Sequence, residues 1–284
     1  MDEGRPRLFW ERIPTMPTSY HLVIGIDHPF AAALTAALGR VYGKDAVRTA
    51  EDSSILSSLA PDHEIDCIYL LSGVFPTAAP EHPAATWHRS VRELLAVLDF
   101  AKTTLVKVFW PSSMAVFGSS APTERCPEDA PQETSSFFAI AKRAGEQWCR
   151  HYHQEHGVDV RCLRFPVLVR SAPATALHEH LKILSDERRP VLHVDDAVRA
   201  TLELMFAPPD AIRQRIYHVS GTSISVSELL TEIRFHHAAS GLEVWNLPEH
   251  PGPESFDDSA ARTDWGWKPR YDLLQLVRNL LQPR

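Results

Sequence analysis

The stretch that decides the fold reads FWPSSMAVFG at residues 109–118 and, after an acidic proline-rich loop, SSFFAIAKRAGEQWCRHYHQEHGVDVRCLRFP at residues 135–166. An apolar strand ends in a pair of serines, a helix with Lys142 near its start follows, and a second apolar strand runs from Val158 to Phe165. A strand, a crossover helix and another strand at this spacing predict parallel pairing. The stretch therefore predicts an α/β protein with a doubly wound parallel sheet.

The same alternation extends along the chain on both sides of this stretch. Short apolar runs predict strands at Tyr20–Ile26, Ala46–Thr49, Ile65–Leu71 and Val106–Trp110. Apolar residues at helical spacing predict helices at Phe30–Gly39, Ala84–Lys102 and Phe137–Gly157. After Pro166 the pattern loosens, and it predicts helices at Ala174–Ser185, Asp195–Phe206, Ser225–His237 and Tyr271–Leu281. We expect a Rossmann-like sheet of about six strands with a small C-terminal substrate lobe.

Composition limits the partners and the location of the protein. The chain of 284 residues divides into an N-terminal tail (1–19), a Rossmann-like domain (20–166) and a mixed region (167–284) that completes the sheet and forms the substrate lobe. A net charge of −7 without a basic run argues against nucleic acid as a partner. Apolar runs stay shorter than the ~20 residues of a membrane span, so no membrane partner is expected. Four scattered cysteines suit a reducing cytosol, which predicts a cytoplasmic protein.

The motifs resemble the extended short-chain dehydrogenase/reductases of the NAD-dependent epimerase/dehydratase type, and most closely their L-threonine 3-dehydrogenase branch. The resemblance covers roughly residues 20–282 and includes DDSAARTDWGWKP at residues 257–269. It implies a serine that orients the substrate oxygen and a Tyr-x-x-x-Lys helix whose tyrosine transfers the proton. Ser113 and Lys142 match this pattern, but Phe138 stands at the tyrosine position. The catalytic candidates are therefore Ser113, Phe138 and Lys142, and a phenylalanine cannot donate or accept a proton.

The cofactor motif of the resembled family is also altered. Its Gly-x-x-Gly-x-x-Gly turn is represented by Gly25, His28 and Ala31, so a side chain stands where close approach of a pyrophosphate requires none. Glu51 follows the second strand, where an acidic residue binds the adenosine ribose. Only about fifteen residues lead from there to the third strand, whereas one parallel crossover alone takes at least ten to twelve. We therefore expect one strand of the sheet to be missing or rudimentary on the adenine side.

These departures predict a protein that has left nicotinamide-dependent hydride transfer, with no cofactor expected. The leading hypothesis is cofactor-free chemistry on, or binding of, a small polar, amino-acid-like molecule. Ser112, Pro166 and Asp195 are its candidate substrate contacts. Two alternatives remain: an NAD(P)-dependent oxidoreductase or epimerase resembling L-threonine 3-dehydrogenase, and a non-catalytic dimer partner or scaffold. Whether the chain is an enzyme stays open at this level.

Two further expectations concern metals and assembly. His178 and His180 alternate, so a helix would point them apart, and no metal site is expected. In the resembled family the helices that correspond to Ala84–Lys102 and Phe137–Gly157 pair across a two-fold axis. Leu94, Leu95, Leu98, Ala139 and Trp148 would supply apolar surface there. A homodimer, or a heterodimer with a related subunit, is therefore expected.

Overall fold

The computed structural model describes residues 19–59, 65–73, 83–134, 136–172, 187–235, 241–245 and 252–280. The first half contains β1 (Tyr20–Ile24), α1 (Pro29–Tyr42), β2 (Val47–Ala50), β3 (Ile65–Leu70), α2 (Pro83–Trp87), α3 (Glu93–Thr104), β4 (Lys107–Ser113) and α4 (Phe137–His156). The second half contains β5 (Val160–Phe165), β6 (Val167–Ala172), β7 (Arg189–His193), α5 (Val194–Phe206), β8 (Ile216–His218), β9 (Thr222–Ile224), α6 (Val226–Phe235), β10 (Gly241–Trp245), α7 (Ser259–Trp265) and α8 (Leu273–Leu280). Residues 1–18, the helix predicted at Ala174–Ser185 and the pair His178 and His180 lie outside the described residues.

The main sheet has six parallel strands in the order β2-β1-β3-β4-β5-β8. The predicted doubly wound, Rossmann-like fold is therefore confirmed. Helices α1 and α5 cover one face of the sheet, and α3 and α4 cover the other, so each face has its own apolar core. Because all six strands run in the same direction, their carboxyl ends meet at one edge of the sheet.

The short connection after β2 explains why the sheet ends at that strand. A 3₁₀ turn at Ser53–Ser58 follows β2, and its Ser53 amide donates to the Glu93 carboxylate of α3 at 2.6 Å. Leu56 of this turn packs into the core between the sheet and α3. The chain thus passes from β2 to the α3 face and enters β3 on the far side of β1. In the described part of the chain no strand pairs with the outer edge of β2, as the short spacing predicted.

A second, smaller sheet lies beyond Pro166, and the sequence did not reveal it. Its order is β10-β6-β7-β9, with β6 and β7 parallel and the outer pairs antiparallel. These strands are only three to six residues long, which is too short for a clear alternating pattern. The helix predicted at Ser225–His237 does begin with its capping box, because the Ser225 and Glu228 side chains each accept the other's backbone amide.

Strand β4 is longer than predicted, and the extension positions the candidate site. It pairs with β3 only as far as Phe109 but with β5 as far as Ser113. Pro111, which lacks an amide hydrogen, therefore lies where β4 has lost its β3 partner. The extension carries both serines to the carboxyl edge of the sheet. No helix within the described ranges is long and apolar enough to cross a membrane.

Candidate functional site

Lys142 is held inside the protein between α4 and the end of β4. Its ammonium donates to the Pro111 carbonyl at 2.8 Å and lies 4.5 Å from the centre of the Trp110 ring. The side chain is 1% exposed, and burial lowers the pKa of Lys142 to about 7. A lysine with such a pKa is partly neutral at physiological pH and can accept a proton.

Ser113 and Phe138 lie on the two elements that hold this lysine, the end of β4 and the start of α4. Ser113 ends β4 and caps a 3₁₀ turn, where its Oγ accepts the Ala115 amide at 3.0 Å. Phe138 lies in the first turn of α4, packs with Ala115, and has its ring centre 5.5 Å from the Lys142 ammonium. The structure therefore brings together Ser113, Phe138 and Lys142, with an apolar ring at the position where the resembled family has a phenol.

Ser112 takes part in a buried ion-pair network that sequence reasoning missed. Its Oγ donates to Glu146 at 2.6 Å, and Arg164 donates to both oxygens of the same carboxylate at 2.7 Å. Gln132 adds a further donor at 2.8 Å. Burial opposes ionisation of Glu146, but the Arg164 charge and the donated hydrogen bonds outweigh it, so the pKa of Glu146 lies below its usual value. Ser112 is thus committed to the interior rather than to a substrate.

A signal for this network was present in the sequence. Lys142 and Glu146 are spaced i, i+4 within the apolar stripe of α4 that also contains Cys149, and both side chains are at most 1% exposed. Charges inside an apolar stripe are expensive to bury unless they are paired. Strand β5 has two arginines, of which Arg161 pairs with Asp159 and Arg164 is the partner of Glu146 that such a stripe requires.

The turn after β1 keeps the first glycine of a nucleotide-binding motif. Gly25 has φ +87°, and a Cβ placed there would lie 2.2 Å from the Ser72 backbone nitrogen. Its amide donates to the Ala50 carbonyl at 2.9 Å, which ties the turn to the end of β2. Only glycine adopts this conformation without strain at this close approach. The tight turn between β1 and α1 is therefore intact.

The second glycine position has a different role in this chain. His28 is the N-cap of α1: its Nδ1 accepts the Phe30 amide at 3.1 Å, and its carbonyl accepts the Ala31 amide at 2.9 Å. Pro29, at the first helical position, has no amide hydrogen. Ala31 is buried in the core that α1 forms with the sheet. The imidazole thus satisfies a helix amide that the resembled family would offer to a phosphate.

Two polar groups near this turn fit the nucleoside side of a dinucleotide. Glu51 is exposed directly after β2, where the sequence placed a ribose ligand. Ser72 follows β3, packs against Gly25 and is 6% exposed. Its hydroxyl has no hydrogen-bond partner among the described residues. A buried hydroxyl without a partner is costly unless a ligand or water meets it, so the edge retains an unsatisfied polar group where a cofactor would bind.

A π-helical turn interrupts the helix that precedes β4. The turn covers His88–Arg92, between α2 and α3, and Ser90 within it donates to the Gly73 carbonyl at 3.2 Å. Single π turns inside α-helices occur often at functional sites because they shift the backbone groups that face the site. Ser90 therefore ties this turn to the loop after β3.

Of the remaining two candidates, Asp195 does not join Ser113 and Lys142, whereas Pro166 directly follows Phe165, the β5 partner of Ser113. Asp195 lies half-exposed in the first turn of α5, where Tyr271 approaches it at 3.4 Å. Both residues line a groove of about 690 Å³ between α1 and α5, on the face of the sheet opposite α4. Pro166 is buried between β5 and β6 and links the two sheets. Their roles as substrate contacts stay predictions.

Known proteins match the chain over most of its length. The profile of the NAD dependent epimerase/dehydratase family matches residues 17–220. Mitochondrial L-threonine 3-dehydrogenase of Bos taurus is 28% identical over 253 residues, which cover 81% of this chain and 68% of that protein. A solved partial consensus L-threonine 3-dehydrogenase is 31% identical with a TM-score of 0.80, covering 92% of this chain and 98% of the other. A monomeric L-threonine 3-dehydrogenase from a metagenome, in its apo form, is 28% identical with a TM-score of 0.79, covering 92% and 97%.

These matches correct the leading functional hypothesis. The expectation that the chain has left nicotinamide chemistry for a cofactor-free reaction was wrong, because the relatives are dehydrogenases and the matching family is NAD dependent. The expectation of no cofactor is likewise unsupported. The hypothesis gave the altered turn at His28, the short adenine side and Phe138 more weight than the retained edge. The Gly25 turn, Ser113 and Lys142 are all still in place.

Proposed function

This chain belongs to the NAD dependent epimerase/dehydratase family, and we propose that it is an NAD-dependent oxidoreductase of the L-threonine 3-dehydrogenase type. The proposed substrate is a small 2-amino-3-hydroxy acid. The observation that carries the proposal is the retained carboxyl edge of the sheet, with the Gly25 turn at one end and Ser113 beside Lys142 at the other. The similarity of the whole chain to L-threonine 3-dehydrogenases is the reason to assign dehydrogenation.

The proposed cofactor contacts follow the edge from β2 to β4. Glu51 would accept hydrogen bonds from the adenosine ribose, and the Gly25 turn would let the pyrophosphate approach the backbone. Ser72 would direct its buried hydroxyl to the cofactor, which removes the cost of leaving it unsatisfied. Bound NAD would supply the acceptor for the hydride of the substrate alcohol. His28 would have to release the Phe30 amide for a phosphate to reach the start of α1.

Proton transfer needs a group other than Phe138. We propose Lys142 as the proton acceptor, because burial lowers its pKa to about 7 and a substantial fraction is neutral near neutral pH. Ser113 would orient the substrate hydroxyl, since its own position is fixed by the Ala115 amide. Phe138 would exclude water from this corner of the site. General acid–base help is worth about 10²–10⁴-fold in rate, so losing the amine should nearly abolish turnover.

Two measurements test the proposed function. Calorimetric titration with NAD and NADH should give saturable binding, and Glu51→Ala should weaken it, whereas Asp52→Ala, at the neighbouring exposed position, should not. Oxidation of L-threonine, followed by NADH absorbance, should be lost in Lys142→Met and kept in the exposed control Arg143→Met. The proposal fails if neither nucleotide binds, or if Lys142→Met turns over like the parent protein.

A gain-of-function variant gives an independent test of the geometry. Phe138→Tyr places a phenol in the first turn of α4, beside Lys142. If the retained edge holds NAD and substrate as proposed, this phenol should raise kcat by about 10²-fold, the lower range for general acid–base help. An unchanged kcat with normal NADH binding would show that Lys142 and Ser113 do not face the reacting alcohol.

We also propose a dimer, through the predicted pair of helices but with a different set of residues, of which only Trp148 was predicted. Leu94, Leu98 and Ala139 are fully buried in the core of one chain and are not available to a partner. The exposed apolar residues on α2 and α4 are instead Trp87, Phe137, Ile140 and Trp148. Because α2 packs on α4, these side chains favour a continuous apolar patch that a second copy would cover. One similar solved protein is a monomeric L-threonine 3-dehydrogenase. The oligomeric state of this chain therefore tests whether the patch binds a second copy.

A further inference from the structure

A cluster of metal-ligand side chains lies at the amino-terminal ends of β1 and β3, away from the proposed catalytic edge. His21, Asp66 and Cys67 each offer one ligand atom, and these atoms all lie within 4.8 Å of one another. We propose that this cluster binds a divalent transition-metal ion, with Zn²⁺ as the favoured occupant. The sequence predicted no metal site, because its histidine pairs were judged by their spacing along helices and these three ligands come from two different strands.

The pairing of β1 with β3 explains why the three side chains meet. His21 and Cys67 are direct partners across the two strands, so their side chains lie on the same face, the one covered by α1. Tyr20 pairs with Ile65, which leaves Asp66 without a partner on β1. Such a bulge re-aims the extra residue. An aspartate that regular alternation would send to the opposite face thereby approaches its neighbour Cys67, with Sγ and Oδ2 at 3.6 Å.

The surroundings of the cluster suit a bound ion better than an empty site. His21 is 2% exposed, and its Nδ1 has no hydrogen-bond partner among the described residues. The Tyr42 ring lies 4.0 Å from the imidazole, centre to centre, and holds it in place. A buried ring nitrogen without a partner is costly. Metal coordination would satisfy it, while the half-exposed Asp66 carboxylate leaves an entry path from solvent.

The chemistry of the three ligands identifies the class of ion. Imidazole nitrogen, thiolate sulfur and a carboxylate oxygen are the donors that Zn²⁺ takes in tetrahedral sites, with a water in the fourth position. Coordination would replace the Cys67 S–H bond by a sulfur–metal bond and release the proton to solvent. Lys107 also contacts the carboxylate, with its Nζ 3.9 Å from Asp66 Oδ1. Lys107 would remain in contact with Oδ1 of Asp66, and Oδ2 of Asp66 would bind the ion.

Cobalt substitution tests the site directly. Tag-free protein, stripped with chelator and kept reduced, is titrated with Co²⁺ and then with Zn²⁺. One equivalent of Co²⁺ should produce a thiolate-to-cobalt charge-transfer band that one equivalent of Zn²⁺ removes. Cys67→Ser should abolish the band, and Cys126→Ser, which alters a buried thiol in a different core, should keep it.

A substitution of the half-exposed Asp66 tests the metal site without disturbing the fold. Asp66→Asn changes a residue whose side chain is 38% exposed, so the variant should fold like the parent, as checked by circular dichroism. It should bind Co²⁺ at least tenfold more weakly. The proposal is overturned if the parent shows no charge-transfer band, if the band survives Cys67→Ser, or if Asp66→Asn binds with parental affinity. Because NAD binding and turnover are not among the readouts, failure here leaves the proposed function untouched.

Discussion

Replacing Lys142 by methionine should stabilise the protein while removing its activity. Burial lowers the pKa of this amine from 10.5 to about 7. At about pH 7 the folded state therefore disfavours the charged lysine by about 4 kcal/mol relative to the unfolded chain. Methionine has a similar length and no charge to desolvate. It leaves the Pro111 carbonyl without its donor, which costs about 1–3 kcal/mol. The expected net gain in the free energy of unfolding is about 1–3 kcal/mol.

The pH dependence of this gain is the more exacting part of the prediction. Between pH 7 and the ordinary lysine pKa, the unfolded chain binds more protons at this position than the folded protein does. The unfavourable contribution of Lys142 to the free energy of unfolding of the wild-type protein therefore becomes smaller as pH rises through this window. The advantage of Lys142→Met should shrink by about 3 kcal/mol between about pH 7 and about pH 9.5. Urea unfolding of both proteins at the two pH values, followed by circular dichroism, gives this difference, in which the other titrating groups cancel. A variant that is less stable at pH 7, or whose advantage is independent of pH, would refute the buried-amine argument.

Three further predictions concern the turn, the buried ion pair and the assembly. Gly25→Ala should lower the free energy of unfolding by more than about 2 kcal/mol in urea titrations, because its φ of +87° and the nearby backbone leave no room for a methyl group. Glu146→Met should cost about 3–5 kcal/mol by leaving Arg164 buried and unpaired, and adding Arg164→Met should recover much of that loss; if the double variant is worse than the single one, the pair is not the source. Trp148→Glu should yield a monomer in light scattering, whereas Leu105→Glu, at an exposed residue in the turn after α3, should not; a parent protein that is already monomeric would contradict the dimer.

Much of the main sheet could be read from the sequence because its strands are buried and short. The runs at Tyr20–Ile26 and Ile65–Leu71 became β1 and β3 within two residues, since continuous apolar segments between turns have few other solutions. Among the described residues no strand lies beyond β2 on the adenine side, and this followed from chain length alone. A crossover needs a minimum number of residues, and the residues after β2 are too few for two of them.

The residues of the candidate site were found unevenly. Ser113 lies at a strand end and Lys142 in the first turns of the following helix, as the sequence predicted, and their catalytic roles stay predictions. The prediction of function was wrong because His28 was interpreted as the loss of the phosphate-binding turn and Phe138 as the loss of the proton-transfer group. His28 turned out to cap its own helix, a local role that leaves the Gly25 turn intact.

The sequence by itself determined the order of strands and helices as far as Phe165, the glycine of the first turn and the residue types at the carboxyl edge. Tertiary structure decided which side chains meet across the sheet and which of them lose water. The meeting of Asp66 with His21 depends on a bulge in the pairing of two strands, and periodicity within one segment carries no information on register between segments. The pKa of Lys142 likewise depends on exclusion of water by α4 and β4 together, because the free energy of a charge is set by the surrounding medium rather than by its neighbours along the chain.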